Sequence, residues 1–107
     1  MLIASDRLGD GAEELGRLLM KNFVITLLET DEIPERMLFL NNGVLLTTEG
    51  SEVIEVLEKL EGRGVEIFSC GVCLDFHNRR DKLKAGSVTN MFTIAESLLK
   101  GASIVRL

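Results

Sequence analysis

Apolar residues in this chain fall into short runs separated by polar, glycine-containing turns. Met1–Ser5 is the first run and predicts a buried strand. Strong helix formers follow from Ala12 to about Glu29, with Asp10 as a candidate N-cap and Glu13 at capping-box spacing. Leu15, Leu18, Leu19, Phe23, Leu27 and Leu28 mark one helix face, which Met20 and Val24 widen beyond what a surface helix needs. Thr30–Glu35 is a polar turn around Pro34. Arg36–Leu40 predicts a second buried strand, closed by Asn41-Asn42-Gly43. Ser51–Glu61 predicts a second helix with Val53, Ile54, Leu57 and Leu60 inward, stopped by Gly62 and Gly64. Val65–Ser69 is a third strand that runs into Cys70. Residues 74–86 are polar, with room for a helical turn near Arg80–Lys84. Thr89 or Asn90 can cap a third helix whose inner face is Met91, Ile94, Ala95, Leu98 and Leu99. Gly101 ends it, and Ala102–Arg106 predicts a last strand.

Strands alternating with helices at this spacing predict βαβ units in one α/β domain over residues 1–107, with a mostly parallel sheet covered on both faces. The strands are continuously apolar rather than alternating, as a doubly covered sheet requires. Ligands of such sheets sit outside the carboxyl ends of the strands. Here those ends carry Ser5-Asp6, Asn41-Asn42-Gly43 and Cys70-Gly71-Val72-Cys73.

Composition narrows the function classes. The 107 residues are 46% hydrophobic with one proline, which excludes a disordered chain. Aromatics are 5% with no Trp or Tyr, and the net charge is −5, so a nucleic-acid partner is not expected. The longest apolar stretches, Phe23–Leu28 and Met37–Leu40, are far short of the roughly 20 residues of a membrane helix. Met1–Asp6 has no basic segment of the signal-peptide kind, so a cytoplasmic location is expected. Two cysteines three residues apart in a reducing compartment point to redox, sulfur-transfer or metal chemistry.

Cys70 and Cys73 are therefore the candidate catalytic residues. The reactive form of a cysteine is the thiolate, which basic neighbours favour. The basic residues of the following segment are His77, Arg79, Arg80, Lys82 and Lys84. Cys70 would take up a sulfur atom as a persulfide, and Cys73 would resolve or relay it. The competing reading is two small buried apolar residues. Zinc on Cys70, Cys73 and His77 would need Asp75 or Asp81 as fourth ligand, and neither a metal nor a cofactor is expected. A C-x-x-C oxidoreductase would need the motif to open a regular helix, which Leu74–Asn78 does not suggest. The rim clusters supply candidate substrate contacts at Ser5, Asp6, Asn41, Asn42, Gly43 and Gly71, with Asn90 added from the third helix start. Asn41-Asn42-Gly43 reads equally well as a turn. The glycines at 9, 11 and 16 fail the dinucleotide pattern, because Glu14 stands where the third glycine belongs. Gly16 is expected to let the first helix pack closely on the sheet. The glutamates at 49, 52, 55, 58, 61 and 66 read as an exposed face, and no Ser–His–Asp arrangement stands out.

Taken together, the chain resembles the DsrE/DsrF-like sulfur-relay proteins, and most of all the C-terminal domain of YedF-type, sulfurtransferase-like selenium-metabolism proteins. The matching segments are Ser5–Gly11 with Glu14-Leu15-Gly16, Phe39–Val44 with Thr47–Ser51, Gly64–Ile67, Ser69–Asp75 and Thr89-Asn90-Met91. The Cys-Gly-x-Cys-Leu-Asp segment is the most specific of them. The resemblance implies a three-layer α/β/α sandwich with a five-stranded sheet and assembly into homo-oligomers. It implies sulfur or selenium carried as a persulfide-type species, with Cys70 as acceptor and Cys73 as its partner thiol. A donor or acceptor protein of the TusA-like kind, and sulfurtransferase activity, are the corresponding expectations. A non-catalytic interaction domain remains the alternative, suggested by the wide apolar face of the first helix.

Overall fold

The computed structural model describes residues 1–101 and 106–107. Four short parallel strands, β1 (Leu2–Ile3), β2 (Arg36–Phe39), β3 (Glu66–Cys70) and β4 (Ser87–Thr89), pair in the order β1-β2-β3-β4. Parallel neighbours must be joined by crossovers. The first is α1 (Glu13–Thr26). The second is a 3-10 turn (Asn41–Leu46) followed by α2 (Ile54–Gly62). The third is α3 (Gly71–Phe76) and a short 3-10 turn (Arg80–Lys82), and α4 (Met91–Lys100) follows β4.

The resemblance implies five strands, and the sheet has four among the described residues. The strand expected at Ala102–Arg106 lies outside them except at Arg106, which bridges Leu2 in parallel, while Leu107 N–H donates to the Leu2 carbonyl at 2.9 Å. β4 was not expected, because Ser-Val-Thr is too short and polar for a buried run. It is an edge strand in register with β3, Ser69 opposite Val88 and Cys70 opposite Thr89.

Side-chain alternation divides the core in two. Ile3, Met37, Phe39 and Ile67 face α1 and α2, packing on Met20, Val24, Leu57 and Leu60. Leu38 and Cys70 face the other way, onto Ile94 and the half-buried Leu98 of α4. Helices thus cover both faces of the sheet.

The first helix faces differently from the expectation. Gly16, Met20 and Val24 are its buried residues, while Leu15, Leu18 and Leu19 are exposed. Of the expected face, Leu27 is buried and Phe23 and Leu28 pack on the core, so the buried stripe is shifted toward Met20 and Val24, the two residues that widen that face in the sequence. Its N-cap is Ala12, with no side-chain cap, so the Asp10–Glu13 capping box does not form. The helix ends at Thr26 rather than near Glu29. Gly16 packs on the Arg7 side chain and the Leu8 carbonyl of the preceding loop, not on the sheet. The inner face expected for α4 contracts to Ile94 and Leu98, with Met91, Ala95 and Leu99 exposed. Its cap is Asn90, whose Oδ1 accepts the Thr93 N–H at 2.9 Å.

Candidate functional site

The carboxyl ends of the strands form one rim, as the parallel topology requires. Gly43 closes the distance between two of them. A Cβ there would stand 2.1 Å from the Ile3 carbonyl oxygen and 3.5 Å from the Ser5 nitrogen. This close approach carries the chain from β2 across the end of β1. Asn41 takes a left-handed conformation (φ +53°) at the start of the turn, and its N–H points at the next crossover. There it donates to Cys73 Sγ at 3.1 Å. Two of the three rim clusters thus meet in one hydrogen bond.

The two cysteines differ in access. Cys70 ends β3 and precedes α3, and it is 1% exposed, set among Leu38, Ile94 and the half-buried Phe68 and Leu40. The expectation of a reachable Cys70 at the mouth of the sheet fails on this point. The side chain of the last residue of β3 turns toward α4 and is covered by it. Cys73, one turn along α3, is only partly buried, and both thiols are free. Burial pushes the Cys73 thiol above the ordinary range. The Asn41 N–H opposes this, and the adjacent Cys70 adds to the rise through hydrogen bonding and charge. The thiolate of Cys73 is therefore scarce at neutral pH.

The basic segment separates. Arg80 pairs with Asp75 through two hydrogen bonds, Nε to Oδ1 at 2.7 Å and the terminal nitrogen to Oδ2 at 2.9 Å. This pair holds the Asp75 carboxyl below its usual range. The guanidinium lies over Gly71, where an added Cβ would meet it at 2.7 Å. Arg79 turns away and donates to the Glu49 carbonyl at 2.9 Å. His77 meets the Phe76 ring edge-on at 5.4 Å. Among the described residues no three His, Cys, Asp or Glu side chains converge as a metal site, so nothing supports the zinc arrangement on Cys70, Cys73 and His77.

Other candidates have local duties. Ser5 Oγ accepts the Arg7 N–H at 3.0 Å, and Asn90 is the helix cap already described. Asp6 lines a cavity of about 510 Å³ with Arg17, Lys21, Glu49, Glu52 and Arg79, which contains neither cysteine. Asn42 is half-buried in the turn, and Gly71 opens α3 beneath Arg80. Two features escaped the sequence reading. The motif does open a helix, the six-residue α3. Behind the rim, Ser69 and Thr47 form a fully buried hydroxyl pair at 2.7 Å. A polar pair inside an apolar run was the available signal for the second.

No family model matches the chain, and no curated protein does. Among solved structures, it is similar to protein MTH1491 of Methanobacterium thermoautotrophicum, a protein of unknown function. The identity is 21%, the TM-score 0.70, and the match covers 99% of this chain and 95% of that one. It is also similar to the ychN protein of E. coli, at 15% identity and a TM-score of 0.72, covering 99% and 96%. At these identities the likeness establishes the fold, and the fold of ychN is the DsrE/F-like one. No helix among the described residues is long and apolar enough to cross a membrane.

Proposed function

We propose that this chain is a sulfur-relay protein in which Cys73, rather than Cys70, receives a sulfane sulfur, with Cys70 as the second thiol behind it. The observation that carries this reading is the partly exposed residue Cys73 at the rim, its Sγ held by the Asn41 N–H and backed by Cys70. The DsrE/F-like fold of the structural neighbours supports it. Selenium could ride on the same atom, since the chemistry of acceptance is the same. The partner is a protein carrying a reactive thiol or persulfide, of the TusA-like kind, working in the cytoplasm. The YedF-type resemblance of the Cys-Gly-x-Cys-Leu-Asp segment favours that partner.

Assembly with further copies of the chain belongs to the same reading. Val72 and Phe76 of α3, Val88 of β4, and Met91 and Phe92 of α4 are all exposed. They emerge from two neighbouring strand ends beside the thiols. Large side chains grouped in this way on a soluble domain mark an interaction surface.

The test is intact mass after incubation with a polysulfide donor. The parent protein and Cys70→Ser gain one sulfur atom per chain, and Cys73→Ser gains none. Equal loading of Cys73→Ser overturns the reading. A second reading, thiol–disulfide exchange, draws on α3, because the motif opens a helix after all. Turnover of an insulin-type disulfide without sulfur loading would favour it.

A further inference from the structure

The hydrogen bond from Asn41 to Cys73 bears on how a sulfur held at Cys73 leaves, a step that the relay reading leaves open. The donor is a backbone group and cannot turn away. Its peptide is tied on both sides. The Leu40 N–H donates to the Ile3 carbonyl at 3.1 Å, and the Leu40 carbonyl accepts the Gly43 N–H at 2.9 Å. The left-handed φ of Asn41 (+53°) then aims its N–H at Cys73 Sγ, 3.1 Å away. The inner sides of Cys73 are occupied as well, since it packs against both halves of the core and lies beside Cys70. A group joined to Sγ must therefore extend outward, toward solvent. A thiolate attacks a sulfur in line with the bond that breaks. An external thiolate can meet the outer sulfur along that line, whereas the line through Sγ runs back into the core. Attack on the outer sulfur expels Cys73 as a thiolate, and such a step slows as the leaving thiol becomes more basic. Burial makes Cys73 a basic leaving group, and the Asn41 N–H opposes this.

We propose that the backbone N–H of Asn41 is a catalytic group: it bonds to Cys73 Sγ as that sulfur leaves, and so directs an incoming thiolate to the outer sulfur of whatever Cys73 carries. This rests on the reading of Cys73 as the acceptor and adds the direction of delivery to it. The step balances without an oxidant or a reductant. The incoming thiolate forms a bond to the outer sulfur, the bond between that sulfur and Sγ breaks, and its electron pair stays on Sγ. A persulfide at Cys73 thus becomes a persulfide on the receiving thiol, and Cys73 returns as a thiolate that takes a proton from solvent. Attack at Sγ would instead join the receiving thiol to Cys73 and release hydrosulfide.

The experiment uses the full chain carrying Cys70→Ser, so that no second thiol intervenes, with glutathione joined to Cys73 as the probe. 2-Mercaptoethanol is added, and intact mass is read after acid quenching at early times. Attack on the outer sulfur gives the free protein, and attack on Sγ gives the mercaptoethanol adduct. The free protein is expected to predominate. An α-hydroxy acid at position 41 replaces the peptide N–H by an ester oxygen and removes the donor to Sγ. The ester also weakens the Leu40 carbonyl as an acceptor, so an ester at position 43, which deletes the Gly43 N–H instead, is the control. The first ester raises the adduct share about fivefold, part of what a hydrogen bond to a charged group is worth, because Sγ is only partly charged in the transition state. The second ester leaves the partition at its original value. Asn41→Gly, which keeps the left-handed backbone, also leaves it unchanged. An unchanged partition in the position-41 ester overturns the proposal, as does a predominance of adduct with the amide in place. So does an equal shift in both esters, which would mark a merely structural effect of the turn. Thermal melts check that both esters fold. If polysulfide fails to load Cys73 while the glutathione partition behaves as stated, the relay reading falls and this one stands.

Discussion

The backbone N–H of Asn41 donates to the sulfur of Cys73 across 3.1 Å, joining the end of β2 to the third crossover. The bond depends on the left-handed backbone of Asn41, which a branched side chain resists. Asn41→Val is expected to destabilise the fold by about 1–2 kcal/mol, whereas Asn41→Gly stays near the parent. Urea unfolding of both variants measures the difference.

Cys73 is pushed up chiefly by burial and further by Cys70. Only the thiolate alkylates, so a raised thiol reacts slowly at neutral pH and keeps accelerating above the range of an ordinary cysteine. Cys70→Ser removes one of the two upward pushes. Its alkylation profile is expected to move to lower pH while remaining above that of a free thiol. Iodoacetamide rates against pH, read by mass at Cys73, decide this.

Gly43 faces the Ile3 carbonyl, a backbone atom that cannot swing aside. Gly43→Ala forces β1 and the turn apart, and is expected to cost about 1–3 kcal/mol as overpacking does. Gly11→Ala is the control, since an added Cβ there meets nothing within 4 Å. Comparison of the two denaturation midpoints tests the claim.

Ser69 and Thr47 share a hydrogen bond at 2.7 Å, and Thr47 Oγ1 donates onward to the Val44 carbonyl at 3.1 Å. Thr47→Val leaves the Ser69 hydroxyl buried without a partner, at a cost of about 1–3 kcal/mol. Ser69→Ala leaves Thr47 still bonded and costs less. The double variant is expected to be more stable than the sum of the singles predicts, which a double-mutant cycle measures.

Phe76 and Phe92 are 81% and 74% exposed at the thiol rim. If this surface joins copies of the chain, the parent elutes as an oligomer and Phe92→Glu as a smaller species. Light scattering coupled to gel filtration reads the masses. A monomeric parent at high concentration removes the assembly proposal.

The amino-acid pattern alone determined much of this protein. The apolar runs of β2 and β3, the inner face of α2, the Asn90 cap and the gathering of polar clusters at one rim all follow from local periodicity and turn chemistry. Local patterns report such features because each is fixed by residues within a few positions of one another. Tertiary packing decided the rest. Whether α1 buries Leu15 or Met20 depends on where the sheet lies, since both stripes are apolar. β4 exists because β3 offers it an edge, not because Ser-Val-Thr favours a strand. Which cysteine is the more accessible was settled by α4, which begins 21 residues further on, lies over Cys70 and leaves Cys73 partly exposed. Burial is a property of what comes to rest on a residue, and no spacing within the motif encodes it.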